Sequence, residues 1–183
     1  MTDSGASSYR LNLADPGTLE YWVQALAEPL VRYAYSITGS SAAAEDAMED
    51  AFAALLAGRR HFRSPEQLRA WLYKTTHNKA VDHLRRHKRE VPLEDVENVL
   101  SSPDPASITA LRERNRTIYL CMQRLPRQYR EVLVLTYFEG FSVADVCAIL
   151  RKTTKQVYNL LARALEVFPG LRQETLGSLD LCR

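Results

Sequence analysis

The chain predicts an all-α protein of two small helical domains joined by a flexible linker, on three observations. Apolar residues recur every three or four positions in one segment after another. No segment sustains the residue-by-residue alternation of a half-buried strand. Ser, Thr, Gly and Pro stand where the periodic segments begin and end, as helix caps and breakers do. With 183 residues, 46% of them hydrophobic, the chain is long enough to build the cores this requires.

The first helix is expected from about Thr18 to Thr38, where Leu19, Trp22, Val23, Leu26, Leu30, Tyr33, Ala34 and Ile37 form one stripe that Gly39 stops. Ser40 and Ser41 cap the second, which runs to about Ala57 and carries Glu45 and Asp46 in its expected first turn, where the helix dipole favours acid. Its apolar stripe is Ala44, Ala47, Met48, Ala51, Phe52 and Leu55, while Glu45, Asp46, Glu49 and Asp50 crowd the remaining surface. A basic loop then leads to Ser64, Pro65 and Gln67, which together open a third helix. That helix contains WLYKTTHNKAVDHLRRHKR, Trp71 to Arg89. Leu68, Trp71, Leu72, Thr75, Ala80 and Leu84 give it a core stripe; Lys74, Lys79, Arg85, Arg86, Lys88 and Arg89 are opposed only by Asp82. Pro92 closes it.

From Val91 to about Thr109 the composition turns to acid, serine and proline, the mark of a linker. Helical spacing resumes from Ala106 to Arg124, and Pro126 starts a further helix carrying Tyr129, Val132, Leu133 and Thr136, ended by Gly140. Ser142 with Asp145 caps a short helix to about Leu150; Arg151 and Lys152 turn the chain. Thr153 with Gln156 caps the last helix, whose core face is Val157, Leu161, Ala164, Leu165 and Phe168 before Pro169 and Gly170.

The formal net charge is only +2, so any affinity for polyanions must come from local clustering. The three cysteines, Cys121, Cys147 and Cys182, are far apart and odd in number, which disfavours a disulfide framework or a four-cysteine zinc site and fits a reduced, cytoplasmic setting. No leader-like or membrane-spanning run is expected. No glycine-rich phosphate loop or nucleophile elbow appears, so no cofactor and no catalytic residue is assigned. His83 and His87 lie one helical turn apart, but Arg85, Arg86 and Lys88 would repel a cation, and no metal is expected there.

Two surfaces carry the functional argument. The basic third helix sets Trp71 and Tyr73 beside Lys74, Thr76, His77 and Asn78, a mixture of stacking, hydrogen-bonding and cationic groups suited to unstacked bases; Trp71 also falls on the core stripe. The last two short helices fit a helix-turn-helix whose second member exposes Thr154, Lys155, Gln156, Tyr158, Asn159 and Arg163. Gln and Asn can pair bidentately with adenine, and Arg or Lys with guanine. An acidic helix beside a basic one would repel DNA on one side and attract it on the other, which implies two different partners.

AEDAMEDAF from Ala44 to Phe52, WLYKTTHNKAVDHLRR from Trp71 to Arg86, and LPRQYREVLVLTYFEGFSVADVCAIL with its following helix resemble the extracytoplasmic-function group of bacterial sigma-70 factors. The resemblance implies region 2 at about 18–90, a linker at 91–111 and region 4 at about 112–172. It implies that Asp46, Glu49, Asp50 and Phe52 dock on the β′ clamp helices of core RNA polymerase. Arg59, Arg60, His61, Phe62 and Arg63, with Lys74, His77, Asn78, Arg85 and Arg86, would grip the non-template strand at the minus-ten element, a flipped base lodging near Phe62 and Asn78. Thr153, Thr154, Lys155, Gln156, Tyr158, Asn159 and Arg163 would read the minus-thirty-five element, with region 4 leaning on the β flap. Promoter DNA, core polymerase and an anti-sigma factor are the implied partners. The other readings are a helix-turn-helix regulator that acts without polymerase and a zinc-dependent nucleic-acid enzyme using His83 and His87. The chain departs from the family pattern at Glu49, where Gln is common, at Arg151, where glycine is usual, and at Leu160 and Leu165, where Arg is frequent.

Overall fold

The computed structural model describes residues 16–58, 60–90 and 125–167, with side chains for 17–58, 60–86 and 125–167. The expected linker, the helix expected over 106–124 and Arg59 lie outside them. The described residues form helices and connecting turns only. In order they are α1 (Pro16–Thr38), α2 (Ser41–Ala57), α3 (Pro65–Glu90), α4 (Arg127–Leu133), a π-helical segment (Val134–Phe138), α5 (Val143–Leu150) and α6 (Thr154–Val167).

The helices α1, α2 and α3 pack pairwise into one three-helix unit. Their contact faces are those the spacing predicts: Leu26, Leu30, Tyr33, Ala34 and Ile37 from α1, then Ala44, Ala47, Ala51, Phe52 and Leu55 from α2. Three alanines on the buried stripe of α2 let its backbone approach its neighbours closely. Ser40 caps α2 by accepting from the Ala43 N–H at 3.4 Å. Glu45 and Asp46 consequently fall in the second turn rather than the first, because the helix begins at Ser41. At the start of α3, Ser64 Oγ accepts from the Gln67 N–H at 3.3 Å while Gln67 Oε1 accepts from the Arg63 N–H at 3.0 Å.

The core face of α3 is wider than its stripe of expected residues. Tyr73 and Thr76 are fully buried, whereas Trp71 and Thr75 are only half-buried, and Thr75 returns its hydroxyl to the Trp71 carbonyl at 2.8 Å. The reason is a second body on that side: α5 of the C-terminal unit packs against α3, and α4 against α1.

In that unit α4, the π segment, α5 and α6 enclose Val132, Leu133, Val134, Leu135, Val146, Ile149, Val157, Leu161 and Ala164. One continuous helix was expected from Pro126 to Gly140. Instead the last turn widens, with the Glu139 N–H bonding back five residues to the Val134 carbonyl at 2.9 Å. Gly140, at φ +65, reverses the chain, and the Phe141 N–H closes the end on Leu135 O at 2.9 Å.

Candidate nucleic-acid interface

The acidic surface of α2 is displayed as the spacing requires. Glu45, Asp46 and Glu49 are exposed; Asp50 is half-buried and pairs with Lys79 Nζ of α3 at 3.1 Å. Phe52 is corrected: at 7% exposure it belongs to the core. It lies one residue after Ala51 on the buried stripe, so its ring cannot itself present a docking surface.

Along α3, Trp71, Lys74, Asn78, Val81 and Arg85 follow one another at spacings of three and four and so share a face. All are half-buried except Arg85, which is exposed and pairs with Asp82 at 3.2 Å; Arg86 beside it is exposed too. The loop before α3 is fastened to this face through Trp71. Phe62 packs against the indole at 5.8 Å between ring centroids, and the Arg60 guanidinium stacks over it at 5.3 Å. The indole thus meets both a phenyl ring, inclined to it at 60°, and a cation, while Arg60, His61 and Arg63 are exposed.

Two expected members of this face are not presented to solvent on it. Phe62, 6% exposed, is the hydrophobic foot of the loop, so a base lodging there would have to displace it. His77 is turned toward the C-terminal unit, its ring stacked on Tyr33 at 6.4 Å and its Nε2 3.8 Å from Glu131 Oε1. It lies one residue off the strip of Lys74 and Asn78, and that rotation of about 100° carries it under α4. Tyr73 is likewise buried; burial and the neighbouring Glu139 carboxylate push its hydroxyl well above the usual phenol range. The Trp71 stack and the role of Lys79 as a tether to α2 went unanticipated. The spacing of Trp71, Lys74 and Asn78 held the signal for the first.

The C-terminal unit forms the expected helix-turn-helix. Ser142 Oγ accepts from the Asp145 N–H at 3.2 Å at the start of α5. Arg151 holds the turn at φ 54, ψ 45 in the left-handed region, with its N–H on Cys147 O. Thr153 and Gln156 then cap α6 reciprocally: Thr153 Oγ1 accepts from Gln156 N–H at 3.3 Å, and Gln156 Oε1 accepts from Thr153 N–H at 2.8 Å. Gln156 therefore keeps its amide NH2 free while its carbonyl is engaged. Thr153, Thr154, Lys155, Gln156, Tyr158, Asn159 and Arg163 are all exposed, while Leu160 and Leu165 are half-buried against the core, which accounts for apolar residues at both positions.

Among the described residues no group of three or more His, Cys, Asp or Glu could hold a metal ion; the side chain of His87 lies outside them. Among them, too, no helix is long and apolar enough to cross a membrane.

Comparison with known proteins agrees with this layout. The family model for sigma-70 region 2 matches residues 22–90, and that for sigma-70 region 4 matches residues 115–167. The ECF RNA polymerase sigma factor SigM of Mycobacterium tuberculosis is 32% identical over 137 residues, covering 74% of this chain and 67% of its own. A second factor named SigM, from Bacillus subtilis, is 25% identical over 162 residues, covering 84% of this chain and 94% of its own. Among solved structures, the sigma factor RpoE of Bartonella quintana, crystallised with the anti-sigma factor NepR, matches with a TM-score of 0.66 at 22% identity, over 85% of this chain and 96% of that one. The chain belongs to the extracytoplasmic-function group of the sigma-70 family.

Proposed function

We propose that this chain recruits core RNA polymerase to particular promoters and nucleates strand separation at the minus-ten element, performing no covalent chemistry of its own. The observation that carries the reading is the division of charge within the three-helix unit. An exposed acidic face on α2, Glu45, Asp46 and Glu49, stands beside a cationic and aromatic face on the loop and α3. One face suits a basic protein partner, the β′ clamp helices; the other suits the non-template strand, gripped by Arg60, His61, Arg63, Lys74, Asn78, Arg85 and Arg86. The exposed face of α6 would read the minus-thirty-five element, and region 4 would rest on the β flap. An anti-sigma factor as a further partner, and the cytoplasm as the place of action, follow from the same reading. A regulator working without polymerase would leave the acidic face of α2 unused.

Reconstitution with bacterial core polymerase and a promoter library tests this: specific initiation is expected, and failure to bind core at all would refute it. Asn78→Ala should impair promoter opening more than duplex binding, since its amide lies on the strip beside Lys74. Equal loss in both would remove Asn78 from contact with melted DNA.

A further inference from the structure

A side chain that closes a helix start from its third residue need only accept a hydrogen bond, and a carboxylate does this while also suiting the positive end of the helix dipole. The start of α5 follows that rule, with Asp145 in its first turn. The start of α6 does not. Its first turn holds no acid, and Gln156 supplies the acceptor, Oε1 taking the Thr153 N–H at 2.8 Å while the Gln156 N–H donates to Thr153 Oγ1 at 3.3 Å. The orientation of this amide is fixed by chemistry, because an N–H can be met only by the carbonyl oxygen. The NH2 group is therefore turned away from the cap, on an exposed residue, with no hydrogen-bond partner among the described residues.

This removes half of what a glutamine ordinarily reads. A free amide matches adenine because it donates to N7 and accepts from the N6 hydrogens. With its oxygen held by Thr153, Gln156 offers N–H donors alone and has nothing for adenine N6. Guanine presents two acceptors side by side, N7 and O6, whereas thymine presents O4 alone and cytosine a donor. Releasing the cap would free the oxygen but leave the Thr153 N–H without its partner at the end of α6 that enters a major groove. Asn159, three residues on and so on the same side of the helix, is exposed and makes no hydrogen bond among the described residues, so both ends of its amide are available.

We propose that Gln156 is a specificity residue that selects guanine through its capped amide, while Asn159 keeps the pair of groups that matches adenine. This deepens the reading of α6 given above and rests on it, but it needs no polymerase. The helix cap thereby sets the base, since it decides which half of the Gln156 amide faces the groove.

The decisive variant is Gln156→Glu. It keeps an oxygen for the Thr153 N–H and gives α6 the acid that α5 has, so its Tm should equal or exceed that of the wild type. Its second oxygen accepts and cannot donate, so the preferred base should change from guanine to cytosine, whose N4 donates. Base preference is read by sequencing the promoters from which the full chain with core polymerase initiates, in a library randomised across the upstream element. In parallel, the duplexes retained by the full chain alone are sequenced. The wild type should favour guanine over adenine about tenfold at one position. That position should turn to cytosine in Gln156→Glu, and Asn159→Ala should alter a different one. Adenine at the position that responds to Gln156→Glu would overturn the proposal, because the amide would have left its cap to read it. So would a Gln156→Glu chain that binds all sequences equally more weakly, the mark of a phosphate contact. If the wild type fails with polymerase but selects guanine alone, the polymerase reading falls and the base assignment stands. Selection of no base in either arm overturns the assignment.

Discussion

Replacing Arg151 by glycine should stabilise the protein. The helix-turn-helix turn holds this residue at φ 54, ψ 45, the one non-glycine residue at positive φ among the described residues. A side chain with a Cβ in that region costs about 1–2 kcal/mol, whereas glycine enters it without penalty but loses roughly 0.5–1 kcal/mol more chain entropy on folding. The net gain expected is about 0.5–1 kcal/mol, a rise of roughly 1–4 °C in Tm for a protein of this size. The arginine side chain does not offset the strain, since it is exposed and makes no hydrogen bond or ion pair among the described residues. Thermal unfolding of three variants separates the causes. Arg151→Ala removes the charge and keeps the strain, so its Tm should stay near that of the wild type. Gly140→Ala is the mirror image: its φ is +65 and an added Cβ would meet nothing within 4 Å, so any loss is conformational. Equal gains for Arg151→Ala and Arg151→Gly would refute the argument, because the gain would then come from lost charge.

Three further outcomes follow from the placement of particular side chains. Phe52→Ala should cost about 3–5 kcal/mol in denaturant unfolding because its ring is core, while Asp46→Ala should leave stability unchanged and weaken core polymerase binding; a harmless Phe52→Ala would show that the ring is not buried. Gln156→Ala should shift base preference at the upstream element and also lower stability by about 0.5–2 kcal/mol through loss of its part in the α6 cap; unchanged preference would remove it from base reading. Tyr73 faces Tyr33, Arg69, Glu139 and Phe141, and its raised pKa means that the folded state favours the neutral phenol. That contribution is fully present below the ordinary phenol value of 10.0 and is lost progressively as pH rises above it. Tyr33, also raised by burial, acts in the same direction, so Tyr73→Phe should reduce the alkaline loss of stability rather than abolish it, and identical slopes between pH 9 and 11 would count against the assignment.

Helix positions, caps and the helix-turn-helix were legible in the sequence because each rests on local physics: spacing, a serine or threonine with its partner three residues on, a glycine at a stop. What sequence spacing could not show was the second body packed on α3. Tyr73 and His77 read as surface on an isolated helix, and only the arrival of Glu139, Phe141 and Glu131 buries them. Nor could it show the π segment, since one extra residue in a turn leaves the apolar pattern of Val132 to Leu135 intact while rotating Glu139 toward Arg69. Phe52 and Phe62 expose the same limit from the other side. An aromatic residue in or beside a family-like motif invites a functional reading, but each is buried: Phe52 on the buried stripe of α2, Phe62 against Trp71.

The near-neutral charge of the chain, +2 overall, is a consequence of the proposed task and not evidence against it. A protein that holds only nucleic acid can carry an excess of cations that matches its partner, and its composition then declares that partner. A protein that must also hold a basic protein surface needs anions nearby, and the two sets cancel in the sum. What composition hides, arrangement restores: Glu45, Asp46 and Glu49 lie on α2, and Lys74, Arg85 and Arg86 on α3. The pair that joins the two helices is Asp50 with Lys79, one charge from each set, so the faces are held in fixed relation. Reversing that pair as Asp50→Lys with Lys79→Asp would keep both the net charge and the link between helices. It would place a cation on the acidic face and an anion beside the basic one. If separation of charge matters and total charge does not, core binding should fall in this variant while folding stability is retained. Unchanged core binding would mean that only the sum of charges counts.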